Sequence, residues 1–253
     1  PGVRATGSGV AIIDGHPAVI FEGDEESTNI FITDAHEFFS IDESGGSATP
    51  RRDVVDIKNC NSCHQNLVLH GSNRADNIQS CVACHNPRNT DLRQRPDSDP
   101  ADGKKEESVN FTTMVHAIHA AGFRENPLVV YGFRGSLHEY DTDHVQYPGN
   151  LANCNTCHAD DSYELPLGSN VLGTTIDTGA DPADPADDLV TTPQTAACAS
   201  CHDSDVAAAH MEQNGGAFNT TQQAIDSGDV LEQCELCHAP GRSADVADLH
   251  GLN

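Results

Sequence analysis

The chain has 253 residues, of which 37% are hydrophobic, and it contains no tryptophan. Its 39 acidic and 13 basic residues give a formal charge of −26, so we expect no binding to nucleic acid or anionic membrane surfaces, which would repel it. No apolar run approaches the roughly 20 residues that a membrane-spanning helix needs, and no transmembrane segment is expected.

Residues 1–50 are predicted to form a small N-terminal antiparallel β segment. The candidate strands are Val10–Ile13, Ala18–Phe21, Ile30–Thr33 and Glu37–Ile41. Asp14-Gly15 is a hairpin-type turn, which predicts that the first two strands pair with each other. Strands this short bury little surface, so their apolar face is expected to pack on residues 51–253, on sequence upstream, or on the sheet edge of a partner subunit. His16 and His36 are interpreted as surface or turn residues.

Cysteine usage is the most informative feature of residues 51–253. All 10 cysteines fall into five copies of one pattern, in which two cysteines three positions apart are followed directly by histidine. The copies are Cys60/Cys63/His64, Cys81/Cys84/His85, Cys154/Cys157/His158, Cys198/Cys201/His202 and Cys234/Cys237/His238. Two thiols one helical turn apart can both add to one porphyrin while the next imidazole binds its iron, which is the attachment pattern of a c-type haem. Zinc sites and disulfides also use cysteine pairs, but neither explains a histidine after every pair.

The motifs therefore predict five covalently bound c-type haems, with the motif cysteines as attachment points and the motif histidines as proximal ligands of the haem iron. A chain with so few hydrophobic residues is short of core, and the porphyrins would supply one. We expect residues 51–253 to be a pentahaem domain of irregular loops and short α-helices wrapped around the haems. Such haems are attached outside the cytoplasm, so export through the periplasm to an extracellular or outer-surface location is expected, with an export signal upstream of residue 1.

A second set of histidines is predicted to complete the coordination of the irons. These distal candidates are His70, His116, His119, His210 and His250. His70 follows the first motif closely. His116 and His119 lie three positions apart on a helix predicted from Ser108 to Gly122, so both imidazoles would share one face.

The last two distal candidates each end a short predicted helix. Ser204 is predicted to cap the helix that carries His210, and Ser243 the helix that carries His250. The supply of second histidines then matches the number of irons, so every haem can be six-coordinate.

Two loops contain further candidate ligands. His138 and His144 lie in a loop predicted over residues 131–150 and stay open as alternatives to one of the five distal histidines. The acidic run over residues 179–188 lacks the spacing of a calcium-binding loop and is interpreted as a solvated linker.

Longer stretches around the motifs resemble a known family. They are Cys60–His64 with Leu69–Arg74, Cys81–Pro87, Val115–His119, Tyr147–Cys154, His210–Gly216 and Ala244–Val246. Over residues 50–253 they resemble the outer-membrane decahaem cytochromes of metal-reducing bacteria, the OmcA/MtrC-type family. The resemblance implies that residues 1–50 are the last strands of a β domain and that residues 51–253 are the C-terminal pentahaem domain.

The same resemblance implies extracellular electron transfer through a closely spaced chain of bis-histidine haems. The implied acceptors are metal oxides, flavins and other multihaem cytochromes. The chain is expected to be either a fragment of a decahaem protein or a shorter relative, and in the second case its partners would be copies of itself, stacked into a filament.

A multihaem reductase of a small oxyanion is the alternative from another functional class. Such an enzyme needs one iron with an open coordination site, and pentahaem nitrite reductases usually replace the histidine of one motif by lysine. All five motifs keep histidine here, so the leading hypothesis is an electron-transfer protein rather than an enzyme.

Overall fold

The computed structural model describes residues 6–41, 46–168 and 170–252. The chain divides into two compact units, Pro1–Cys84 with Asn155–Ser162 and His85–Cys154 with Tyr163–Asn253. The described residues form short helices and small antiparallel sheets, which confirms this part of the predicted fold class. The domain boundary predicted between residues 50 and 51 stays a prediction, and residues 1–5 and 42–45 of the predicted β segment lie outside the described residues.

The first unit combines short strands with the helices of the first two motifs. Its elements are β1 (Ser8–Ile13), β2 (Ala18–Val19), β3 (Thr28–Asn29), β4 (Ala35–Ser40), α1 (Ile57–His64), β5 (Val68–Leu69), β6 (Arg74–Ala75) and α2 (Ile78–Cys84). β1 pairs with β4, β2 with β3, and β5 with β6. Side chains alternate along β1, where Val10 and Ile12 are half-buried and Ile13 is 75% exposed.

Two details of the predicted β segment are wrong. The hairpin expected at Asp14-Gly15 does not form, because β1 pairs with β4 and not with β2. The Asp14 carboxylate instead forms an ion pair with Arg74 at 2.7 Å, and Pro17, which has no N–H, cannot donate to β1. The third strand is Thr28–Asn29, just ahead of the predicted Ile30–Thr33.

The second unit combines short helices and short strands joined by loops. Its elements are α3 (Phe111–His119), β7 (Leu128–Tyr131), β8 (Leu137–Tyr140), β9 (Thr174–Asp177), β10 (Leu189–Thr191), α4 (Pro193–Ala199), α5 (Asp205–Gln213), β11 (Thr220–Thr221), α6 (Gln222–Asp226), α7 (Glu235–His238) and α8 (Val246–Leu249). Met114 and Ile118 form an apolar stripe on α3 that packs against the buried strand β7. The loop predicted over 131–150 contains β8, because Leu137–Tyr140 pairs with β7 along its whole length.

A buried ionic network joins the loop before α3 to β7. The Arg95 side chain is 1% exposed, and its Nε donates to Asp91 Oδ1 at 2.7 Å. Its two terminal nitrogens donate to the Asp102 carboxylate at 2.5 and 2.9 Å, and one of them also donates to Val129 O at 2.7 Å. Because each charge has hydrogen-bonding partners, the network can lie inside the protein without an unpaired buried charge.

The apolar core that the polypeptide builds for itself is small. Many of its buried apolar residues are alanines, such as Ala117 and Ala120, and some of its most buried side chains are threonines, such as Thr175 and Thr192. Several large apolar side chains are exposed, including Phe123 at 72%. A large apolar cofactor therefore fits the packing of this chain.

Candidate haem-binding sites

The first motif lies on a single helix. Cys60 and Cys63 lie one turn apart on α1, and His64 is its last residue. Asp56 caps the start of α1, because its Oδ1 accepts the N–H two residues further on at 2.9 Å. The helix ends where Gln65 adopts φ 62°, which turns the chain away directly after the histidine.

The second motif lies at the end of α2. The Asn77 side chain caps this helix by accepting from Gln79 N at 3.0 Å. The backbone carbonyl oxygen of Asn77 accepts from Cys81 N at 3.3 Å and from Cys81 Sγ at 3.4 Å. Burial raises the pKa of the Cys81 thiol to about 11. Cys84 is the last residue of α2, and the His85 Nδ1 lies 2.8 Å from Val109 O.

The third motif begins in a short 3₁₀ turn, Cys154–Thr156. Within the first unit, Asn59 Nδ2 donates to the carbonyl oxygens of Cys157 and His158, each at 3.3 Å. The His158 Nδ1 lies 3.1 Å from Ser162 Oγ, and burial lowers the pKa of His158. Since Asn59 belongs to α1, the first motif helix and the end of the third motif are neighbours.

The fourth motif begins on α4, whose N-terminus is held by a residue from a distant part of the sequence. The Glu232 carboxylate accepts the N–H groups of Gln194 at 2.8 Å and Thr195 at 2.7 Å. It also accepts the hydroxyl groups of Thr192 and Thr195, both at 2.7 Å. A carboxylate at this position satisfies the first N–H groups of the helix and matches its positive end. Sequence reasoning missed this residue because 37 positions separate Glu232 from Thr195.

The end of α4 is held by Arg124. One of its nitrogens donates to Ala199 O at 3.2 Å and to Ser200 O at 2.5 Å. Cys201 and His202 follow in a turn in which both N–H groups donate to Cys198 O. Contacts from two distant segments therefore fix both ends of the helix that begins this motif.

The fifth motif lies on α7. Cys234 directly precedes this helix, and Cys237 lies on it, with its N–H donating to Cys234 O at 3.2 Å. His238 ends the helix, and its Nδ1 lies 2.8 Å from Ala244 O. The two cysteines differ in burial, because Cys234 is half-buried whereas Cys237 is exposed. The assignment of Cys234 and Cys237 as attachment points of one haem stays a prediction, and an exposed Cys237 thiol is accessible to a porphyrin.

Glu232 lies near both the fourth and the fifth motif. The pKa values of the Cys198 and Cys234 thiols are raised to about 11, first by burial and then by the negative charge of Glu232. The carboxylate that caps α4 therefore also acts electrostatically on the first cysteine of each of these two motifs.

Two of the predicted distal histidines are oriented by their own helices. The Nδ1 atoms of His119 and His250 lie 2.8 Å from the carbonyl oxygens of Val115 and Val246, four residues earlier. A carbonyl oxygen only accepts hydrogen bonds, so Nδ1 must carry the proton. In a neutral imidazole the other ring nitrogen, Nε2, then has no proton, which is the form that binds a metal.

The other three distal candidates lie in different kinds of local structure. His116 shares α3 with His119, and His210 lies on α5, which Ser204 caps as predicted. His70 lies in the turn between β5 and β6 with φ 53°, in the left-handed region that non-glycine residues rarely adopt. Such local strain is frequent at functional sites.

Two pairs of predicted ligands lie close together in the second unit. The ring centroids of His202 and His250 are 6.2 Å apart, and those of His210 and His238 are 6.1 Å apart. Two imidazoles that bind one metal ion from opposite sides, each with a metal–nitrogen bond of about 2 Å, have centroids about 6 Å apart. Each pair joins one motif histidine to one distal candidate, so its spacing fits the two axial ligands of one iron.

The two alternative ligands have local partners. The exposed His138 lies with its Nε2 3.0 Å from Ser136 Oγ, and His144 Nδ1 lies 2.6 Å from Asp141 Oδ1. This hydrogen bond and the charge of Asp141 raise the pKa of His144. Both side chains thus have polar contacts near the surface.

Three other sequence-based assignments can be compared with the structure. His36 is exposed, and its Nδ1 lies 2.9 Å from Asn77 Nδ2, whereas His16 is half-buried. The cap predicted at Ser243 is wrong. Asp245 caps α8 instead, because its carboxylate accepts from Ala247 N at 2.9 Å.

Disulfides and structural zinc sites are the other common uses of cysteine pairs. None of the ten motif cysteines, all of which lie among the described residues, forms a disulfide. In the described part of the chain, no group of three or more His, Cys, Asp or Glu residues is arranged to hold a metal ion. A structural zinc site needs such a group, whereas a haem needs only two thiols and axial ligands.

Among the helices of the described ranges, none has the length and apolar character that crossing a bilayer requires.

This chain matches a known family of outer-membrane cytochromes. A family model for outer-membrane cytochromes matches residues 52–251. The chain belongs to this family, the MtrC/MtrF-like outer-membrane cytochromes, domains II/IV. The resemblance seen in the sequence is thereby confirmed. A search of the curated proteins found no match.

Two solved structures are similar to parts of this chain. The outer membrane decaheme cytochrome OmcA is 24% identical, with a TM-score of 0.48, and the match covers 87% of this chain and 27% of that protein. MtrC from Shewanella baltica OS185 is 18% identical, with a TM-score of 0.49, and the match covers 92% of this chain and 34% of that protein. The chain thus spans about a third or less of the length of each of these two solved relatives.

Proposed function

We propose that this chain is an electron-transfer protein of the outer cell surface that binds five c-type haems through its cysteine motifs. The motif histidines would hold the irons as one set of ligands, and His70, His116, His119, His210 and His250 would be the second set. The haems supply reversible one-electron chemistry, and the polypeptide supplies the ligands and holds them in position.

The two histidine pairs of the second unit carry this proposal. The spacings of 6.2 Å for His202 with His250 and 6.1 Å for His210 with His238 suit axial pairs on the haems of the fourth and fifth motifs. For the other three motifs, His70, His116 and His119 are the proposed second ligands. Two imidazole ligands favour outer-sphere electron transfer over substrate binding at the iron.

The proposed partners are other multihaem cytochromes, copies of this chain, and extracellular acceptors such as metal oxides and flavins. Apolar side chains exposed near the N-terminus favour completion by further β structure, since Ile13 is 75% exposed, Ile20 64% and Phe39 49%. This β structure would belong to a larger protein that contains this chain or to a neighbouring copy. Electron microscopy of native material distinguishes a filament from a single larger protein.

Haem content and spin state of the purified holoprotein test the proposal. We expect five haems per chain in a pyridine haemochrome assay and only low-spin ferric signals in electron paramagnetic resonance. A stoichiometric high-spin signal would indicate an open iron site and favour the oxyanion reductase. Fewer than five haems would contradict the proposal directly.

Replacement of a proposed ligand tests an individual assignment. His250→Met should change the spectrum of one haem and raise its reduction potential, because methionine ligation stabilises ferrous iron relative to histidine ligation. His138→Met is the matched control and should leave every haem unchanged. If His250→Met has no effect and His138→Met changes one haem, the assignment of the fifth distal ligand is wrong.

A further inference from the structure

Asp34 is a buried carboxylate that has no hydrogen-bonding partner. It lies between β3 and β4 in the first unit and is 4% exposed. Both of its carboxylate oxygens are shielded from solvent and accept no hydrogen bond. A buried charge of this kind normally destabilises a protein by several kcal/mol unless another charge compensates it.

The structural contacts of Asp34 use only its backbone. Its N–H donates to Ala75 O at 3.0 Å, and its carbonyl oxygen accepts from Asn77 Nδ2 at 2.7 Å. Asparagine at position 34 would keep both contacts. The fold therefore gives no reason for a carboxylate at this position.

The second cysteine motif adjoins Asp34 through Asn77. The side-chain amide of Asn77 donates to the Asp34 carbonyl oxygen, and the backbone carbonyl oxygen of Asn77 accepts from both the N–H and the Sγ of Cys81. The pKa of the Cys81 thiol is raised first by burial and second by the negative charge of Asp34. The electrostatic field of the carboxylate thus reaches the attachment point of the haem proposed at Cys81 and Cys84.

We propose that Asp34 sets a low reduction potential for the haem attached at Cys81 and Cys84. This inference rests on the proposed function. Oxidation of the iron adds one positive charge, and a buried carboxylate nearby stabilises that charge more than a solvated one would, because water screens it little. Asp34 is a positioning and tuning residue, since it is not proposed to bind the iron.

Asparagine and alanine substitutions test this role in the holoprotein at pH 7. Asp34→Asn and Asp34→Ala should each shift one of the five haem potentials to more positive values in a redox titration followed by NMR, which resolves the haems individually. Glu37→Gln is the matched control, because Glu37 is an exposed carboxylate on β4, three residues away. It should leave all five potentials unchanged.

The outcomes separate this inference from the proposed function. If the wild-type protein does not contain five redox-active haems, the proposed function fails. If it does contain them, and both Asp34 variants retain five haems with unshifted potentials, the role of Asp34 is wrong. A purely structural role would change stability or haem content and would not selectively raise one potential.

Discussion

The first motif lies on α1 and the fourth motif begins on α4, and these two helices are held in different ways. α1 is defined by neighbouring residues, with Asp56 at its start and Gln65 at its end. α4 depends on Glu232 at its start and Arg124 at its end, and both come from distant parts of the sequence. The comparison shows that one short motif can be held by local signals at one site and by tertiary contacts at another.

The largest expected effect follows from removing the tertiary contact at α4. Glu232→Ala leaves the nearly inaccessible hydroxyl groups of Thr192 and Thr195 and two helix N–H groups without their acceptor. We expect a loss of about 2–4 kcal/mol in the free energy of unfolding, measured by urea denaturation of the holoprotein. The spectra of the haems proposed at the fourth and fifth motifs should change as well.

Two further variants test whether the loss of stability is specific to the Glu232 cap of α4. Glu232→Gln keeps a side-chain oxygen that can accept, so its loss should be smaller than that of Glu232→Ala. Glu212→Ala removes an exposed carboxylate from α5 and should change stability little. Equal effects of Glu232→Ala and Glu212→Ala would show that α4 does not depend on its distant cap.

A smaller effect is expected when the local cap of α1 is removed. Asp56→Ala should lower the free energy of unfolding by about 1 kcal/mol, because one helix N–H group loses its acceptor. The spectral change should be confined to the haem at the first motif. Ser204→Ala removes the corresponding local cap of α5, so it is the matched control for the loss of a helix cap elsewhere in the chain. If Asp56→Ala instead perturbs the haems of the second unit, α1 is not held locally.

The smallest effect is expected for the Arg95 network, another set of tertiary contacts, and concerns how the free energy of unfolding changes at acid pH. Burial alone would raise the pKa of Asp102, but hydrogen bonds from Arg95 and from the Lys104 N–H outweigh burial and hold it below the ordinary value of 3.8. The folded pKa is lower than the unfolded one, so this stabilisation is present above pH 3.8 and is lost as the pH falls through the folded pKa.

Asp102→Asn tests this linkage. The variant should be less stable than the wild type at pH 7, and the difference should shrink as the pH approaches the folded pKa of Asp102. Thermal unfolding at a series of pH values measures the difference. A constant difference at every pH would show that Asp102 contributes through packing and not through its charge. Asp97→Asn, in the exposed part of the same loop, is the control.

Signals within a few residues of each other predict local structure correctly in this chain. The apolar stripe of α3 predicts that helix, and Ser204 predicts the start of α5. The expected β1–β2 hairpin fails because strand pairing depends on partners far along the chain, and β4 lies more than 20 residues after β1. The cap at Asp245 is missed because Ser243 fits the same local rule.

The candidate ligands can be proposed from the sequence, but their pairing cannot. Motif spacing identifies His202 and His238, and short predicted helices identify His210 and His250. Which of them face each other depends on how α4, α5, α7 and α8 pack. The environment of the Asp34 carboxylate likewise cannot be predicted from the sequence, because burial and the lack of a hydrogen-bonding partner are properties of the folded chain.

The hydrogen bonds that clamp His119 and His250 to their own helices bear on the rate of the proposed electron transfer. Each ring is tethered at Nδ1 to a carbonyl oxygen four residues earlier, and this tether does not involve the metal. A ring held in this way would keep its orientation if a bound iron changed charge. Little nuclear rearrangement would accompany each transfer, so the reorganisation energy at these sites should be low.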